Sequence, residues 1–238
     1  FDAGGAEVED SGFELSLNID LSDSTVYAAT GAESLAEALS SLTKGTTYYY
    51  RAFVETIMGR AEGAIQSFTT VDDAAVSTLS ATSIGAFSAN LRGEITSTGG
   101  GTISATDFQY STNSSLSGAS TAGGSSTSGT FNGSVSGLSA GTTYYFRARA
   151  TNEAGTANGN TLNFTTIGLA SVSTGNSSSV GPTTATLSGS VTPTGGGTVS
   201  ATGFQYSTNS SFSGASTKSG SSTSGSFTAN LTGLNGST

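Results

Sequence analysis

The sequence predicts an all-β chain built of tandem sandwich domains, one complete and two partial. Three observations carry that prediction. The chain repeats itself at a period of 96 residues, apolar residues alternate with polar ones inside each repeat, and Gly, Ser and Asn separate the alternating runs.

The repeat sets the domain organisation. ATDFQYSTNSSLSGASTAGGSSTSGTF at 105–131 aligns without a gap on ATGFQYSTNSSFSGASTKSGSSTSGSF at 201–227, which places Phe108 on Phe204. Upstream, LRGEITSTGGGTISAT at 91–106 matches LSGSVTPTGGGTVSAT at 187–202. A more diverged copy relates LTKGTTYYYRAFVETIMGRAEGAIQSFTT at 42–70 to LSAGTTYYFRARATNEAGTANGNTLNFTT at 138–166. The boundaries are therefore 1–71 for a first copy without its opening two strands, 72–167 for a complete second copy, and 168–238 for a third copy without its closing two strands. The chain begins at Phe1 with no signal peptide, so it reads as a processed product or a fragment. A window on a longer array would explain its ends; so would completion of the half-sandwiches by strand exchange with neighbouring subunits.

Each element follows from patterning. In the first copy Leu35, Leu39 and Leu42 have helical spacing, but they align on Phe131, Val135 and Leu138, so 32–42 is expected to be a strand. Tyr48, Tyr50, Ala52 and Val54 form the inward half of the next strand. In the second copy the inward positions are Ala89, Leu91, Gly93 and Ile95, then Phe131, Gly133 and Val135, then Tyr144, Phe146, Ala148 and Ala150. The third copy repeats the first two sets as Ala185, Leu187, Gly189 and Val191, and Phe227, Ala229 and Leu231. Gly99-Gly100-Gly101 and Gly195-Gly196-Gly197 recur at one place in the repeat and are not followed by Lys-Ser/Thr, so they are turns and not phosphate loops. About seven short strands in such a repeat suit a two-sheet sandwich.

Composition narrows the function classes. The net charge is −9, the pI is about 4.2, and only 10% of residues are charged. No basic stripe for nucleic acid is present. No apolar run approaches the ~20 residues of a membrane span, so no membrane insertion is expected within this segment. With no His and no Cys, the chain has no imidazole or thiolate metal ligand, no disulfide and no Ser-His-Asp triad. The second and third copies share no carboxylate at equivalent positions, so nothing suggests a repeated acid-base unit. No enzyme activity and no cofactor are therefore expected. Thirteen of the sixteen acids lie at or before Asp73. A solvated acidic face explains them; cation binding by Glu7, Glu9 and Asp10, or by Asp72 and Asp73, lacks EF-hand spacing. Ser and Thr make up about a third of the chain, and Asn-x-Ser/Thr sequons, from Asn113 to Asn235, permit glycosylation without showing it.

Leu138 to Gly155, reading L-x-x-G-T-T-Y-Y-F-R-A-R-A-T-N-x-x-G, resembles the E–F corner and strand F of fibronectin type III domains. Similar repeats occur in tandem in bacterial surface and secreted proteins. The resemblance implies an immunoglobulin-like sandwich in which Leu138 leads to a core Tyr144, and Leu42 to Tyr48. A tyrosine corner is expected at Tyr144, its hydroxyl bonded to upstream backbone. The strand-B tryptophan usual in the family is absent, with Leu91 and Leu187 in that strand, and Arg92-Gly93-Glu94 lies within a strand where no recognition role is expected.

Candidate contact residues fall on outward positions. Tyr145, Arg147 and Arg149 face away from the core; Tyr145 beside Arg147 is placed to stack on a sugar or a partner ring, or to form a cation–π pair within the sheet face. Asn152 to Gly155 forms the turn between the last two strands, and its counterpart at 56–59 carries Ile57 and Met58 at the tip. Two apolar residues there would dock on a neighbouring repeat or subunit, or pack back on their own domain. The expected function is a non-catalytic extracellular structural or adhesive array at the cell surface, forming a stalk, surface layer or filament. Neighbouring repeats or subunits are the expected partners, with glycans as further candidates. A virion tail-fibre or decoration module, and an accessory module of a secreted polysaccharide-active enzyme, are the alternatives. The short linkers at 71–76 and 167–172 imply a semi-rigid array.

Overall fold

The structure, a computed structural model, describes residues 7–29 and 35–235. Every regular element among them is a β-strand, and no helix among them is long and apolar enough to cross a membrane. The second copy is a complete two-sheet sandwich. Strands β6 (Ala75–Thr82), β7 (Ser88–Ser97) and β10 (Thr130–Ser136) form one sheet in the order β10-β7-β6. The other contains β8 (Ala105–Ser111), β9 (Ser120–Gly123), β11 (Thr143–Asn152), β12 (Gly155–Asn158) and β13 (Leu162–Thr165), with β8 on one edge of β11 and both β12 and β13 on the other. All pairings are antiparallel.

The expected inward parity fills this core. Leu91, Phe108, Phe131, Phe146 and Ala148 have no exposed surface, and Ala89, Val135, Tyr144 and Phe164 join the same cluster. The Phe108 and Phe131 rings, one from each sheet, lie 5.1 Å apart and tilted at 41°, within the separation at which aromatic pairs attract. Gly93 is required by this packing: a Cβ there would lie 2.7 Å from both the Ala148 Cβ and the Phe131 ring. The Arg92-Gly93-Glu94 tripeptide is thus strand β7 with its glycine turned to the core, as expected.

The first copy is one sheet. Strands β1 (Val8–Ser16), β2 (Thr25–Ala28), β3 (Thr47–Thr56), β4 (Gly59–Glu62) and β5 (Gln66–Thr69) reproduce the sheet of β8, β9, β11, β12 and β13. The strand expected at 32–42 is not found. Residues 35–42 carry no ladder and no helix, and 32–34 lie outside the described residues. The cause is the absence of a partner: the equivalent β10 has β7 as its one paired strand, and no strand of that type precedes β1 among the described residues. Leu35, Leu39 and Leu42 remain half-buried all the same. Ala36 and Leu39 border an apolar groove of about 350 Å³ over the sheet, with Phe13, Leu15, Tyr27, Tyr50 and Phe68 as its floor.

The third copy keeps the opposite part. β14 (Ser171–Thr174), β15 (Ala185–Thr192) and β18 (Gly225–Leu231) form one sheet, and β16 (Gly203–Tyr206) with β17 (Ser216–Ser219) forms a separate hairpin. Phe204 and Phe227 lie 5.0 Å apart at 42°, repeating the pair of the second copy.

Candidate contact surface

Strand β11 divides by parity, and its outward residues meet partners on β8. Register places Arg147 opposite Gln109 and Arg149 opposite Asp107. Arg147 donates from Nε and Nη2 to Gln109 Oε1, at 2.9 and 2.7 Å. Arg149 forms a two-pronged pair with Asp107, Nε to Oδ1 at 2.6 Å and Nη2 to Oδ2 at 2.9 Å. Thr151 continues the row with a hydroxyl contact to Thr156 at 2.9 Å. Both guanidinium groups are therefore held within the sheet face. Tyr145 is half-buried beside them, opposite Ser111.

The first copy answers the same register with different chemistry. Arg51 lies opposite Glu14 and Phe53 opposite Gly12. Arg51 Nε donates to Glu14 Oε2 at 2.6 Å, and its Nη1 lies 2.5 Å from Glu62 Oε2. Arg60 pairs with the other Glu14 oxygen and with Glu62, at 3.2 Å in the latter case. The Arg60 guanidinium also lies 4.0 Å over the Phe53 ring, the cation–π contact among the described residues. This cover explains why Phe53, outward by parity, is only 3% exposed. Burial pushes the Glu14 carboxyl up, but hydrogen bonds and charge from Arg51 and Arg60 outweigh it and hold the group below its ordinary value.

The turn at the end of β3 presents Ile57 and Met58 at 79% and 85% exposure. Neither side chain packs back on its own sheet. The equivalent turn after β11 carries Glu153 and Ala154, with Gly155 at φ +143°. Glu7, Glu9 and Asp10 are exposed at the start of β1, and among the described residues no three acidic side chains converge on a place for a metal ion.

The corners of the first and second copies are locked in the expected way. Ser139 N donates to Tyr144 Oη at 3.0 Å, and Thr43 N to Tyr48 Oη at 3.0 Å. Sequence reasoning overlooked a second lock. Thr166, fully buried, donates from Oγ1 to Ser139 O at 2.7 Å and accepts from Thr142 N at 2.9 Å. Thr70 repeats both bonds, to Thr43 O and from Thr46 N. The signal was the Phe-Thr-Thr triplet shared by 68–70 and 164–166.

No protein-family model matches the chain, and no curated relative matches it. Solved structures that this chain matches include the sensor domain of the anti-sigma factor RsgI4 of Pseudobacteroides cellulosolvens. It is 20% identical with a TM-score of 0.34, over 42% of this chain and all of that one. The first three fibronectin domains of chicken CNTN1 are 13% identical with a TM-score of 0.32, over 66% of this chain and 56% of that one. Purple acid phosphatase PPD1 of yellow lupin, Lupinus luteus, is 6% identical with a TM-score of 0.33, over 55% of this chain and 27% of that one.

Proposed function

We propose that this chain is a non-catalytic, extracellular structural or adhesive segment, a stretch of an array of β-sandwich repeats. The observation that supports the reading best is where the conspicuous side chains go. Phe108, Phe131 and Phe146 fill the core, and four of the seven cations pair within their own sheet faces, Arg147 with Gln109, Arg149 with Asp107, and Arg51 and Arg60 with Glu14 and Glu62. Such a surface maintains a fold and includes Ile57 and Met58, with the half-buried Tyr145, among its outward apolar groups. Neighbouring repeats or subunits are the partners that suit an exposed apolar turn tip. Electron microscopy of the intact natural protein tests the reading: rods or fibres with a regular repeat are expected, and compact independent globules would overturn it. An accessory glycan-binding role makes a separate demand, that Tyr145→Ala reduce binding to a polysaccharide.

A further inference from the structure

The two linkers between copies share one hydrogen bond to the preceding copy, and both lie against a triple-glycine turn. At the first joint Gly45 N donates to Val71 O at 3.4 Å, and Asp72 N donates to Gly99 O at 2.9 Å. At the second, Gly141 N donates to Ile167 O at 3.2 Å, Ile167 N to Gly85 O at 3.0 Å, and Thr194 Oγ1 to Leu169 O. Each linker thus runs between a turn of the preceding copy and the triple-glycine turn of the following one. The triple glycine is what admits it. A Cβ on Gly99 would lie 2.2 Å from Asp72 O, and one on Gly195 would lie 2.4 Å from Gly168 N.

Asn152 closes the first joint. It is 5% exposed, and its carboxamide is fully bonded. Nδ2 donates to Asp72 O at 2.8 Å and to Thr98 O at 2.9 Å, while Oδ1 accepts from Ala154 N and Gly155 N at 3.0 and 3.2 Å. One side chain therefore ties the linker to two turns of the second copy. Thr102 N donates to Glu153 Oε2 at 2.8 Å beside it, and Lys44 Nζ reaches Asp73 Oδ1 at 2.8 Å across the joint.

We infer that the Thr98–Gly101 turn and Asn152 form a socket whose partner is the linker that leads in from the preceding repeat, so that successive copies are held at a fixed angle. The inference deepens the array reading and rests on it. Adjoining domains move relative to one another by default unless an interface holds them; here backbone hydrogen bonds and a buried amide do so.

The glycines supply the test. Gly99 and Gly100 both have positive φ, +65° and +81°, so alanine is strained at either. Of these two, Gly99 faces the linker; a Cβ on Gly100 meets nothing within 4 Å. The chain has no cysteine, so Thr25→Cys on the first copy and Ser134→Cys on the second provide clean spin-label sites in the full chain. A narrow label-to-label distance distribution is expected, unchanged by Gly100→Ala and broadened about two-fold or more by Gly99→Ala. Asn152→Asp keeps the acceptor for Ala154 and Gly155 but removes both donors, and it should broaden the distribution too. Equal effects of Gly99→Ala and Gly100→Ala, a distribution already broad in the parent chain, or no change with Asn152→Asp would each overturn the socket. Globules in the microscope with a narrow distribution would instead remove the array reading and leave the socket standing.

Discussion

The first and second copies contain the same five-stranded sheet, once alone and once covered. In the second copy Phe108, Phe146 and Phe164 are buried under β6, β7 and β10. Their counterparts Phe13, Tyr50 and Phe68 are half-buried and floor a groove under residues 35–42. The strands, their register and the tyrosine corner are alike in both. The local pattern is thus sufficient for the sheet, while complete burial of its rings requires the opposing sheet. The third copy shows the converse. Val172 and Val180 are 69% and 71% exposed, whereas Val76 and Ile84 at the equivalent places in the second copy pack against its core. The strands that cover them there, β11 to β13, have no counterpart among the described residues of the third copy.

Breaking the two sheets at equivalent positions should give unequal costs. Phe146→Ala removes a fully buried ring and should destabilise the second copy by about 4 kcal/mol, whereas Tyr50→Ala should cost the first about 1–2 kcal/mol. Hydrogen exchange in β11 and β3 across a urea series reads each copy separately; equal losses would mean that the groove is closed in solution. A smaller difference is expected on the outward faces. Glu14→Gln leaves Arg51 and Arg60 without their shared carboxylate and should cost about 2 kcal/mol, against about 1 kcal/mol for Asp107→Asn. Because the folded Glu14 lies below its ordinary value of 4.5, its contribution is fully present above that pH and is lost as pH falls through the lowered value. Acid unfolding of β1 and β3 should therefore lose this dependence in Glu14→Gln. The smallest effect sharpens what the copies share. Tyr48→Phe and Tyr144→Phe each remove one acceptor for a backbone N–H and should cost about 1 kcal/mol in both copies alike.

Much of the fold is legible in the sequence. The 96-residue period and the parity of Leu91, Phe131 and Phe146 identified the sandwich and its core, because side-chain direction in a strand alternates regardless of what lies opposite. The segment at 35–42 could not be read in that way. Its leucines matched a strand, but a strand needs a neighbour for its backbone, and alignment transfers side chains without transferring the neighbour. The contact surface was half legible. Parity placed Tyr145, Arg147 and Arg149 outward, but the partners of the two arginines, Gln109 and Asp107, lie about forty positions away, at a register fixed only by pairing.

By itself, then, the sequence determined which residues face inward, where the chain turns and that the unit repeats, since these follow from local alternation and self-similarity. The tertiary structure decided which strands find partners, which charges pair, and that the triple-glycine turns receive a linker. Each of those depends on a backbone or side chain brought close from far along the chain, and local spacing carries no record of such distances.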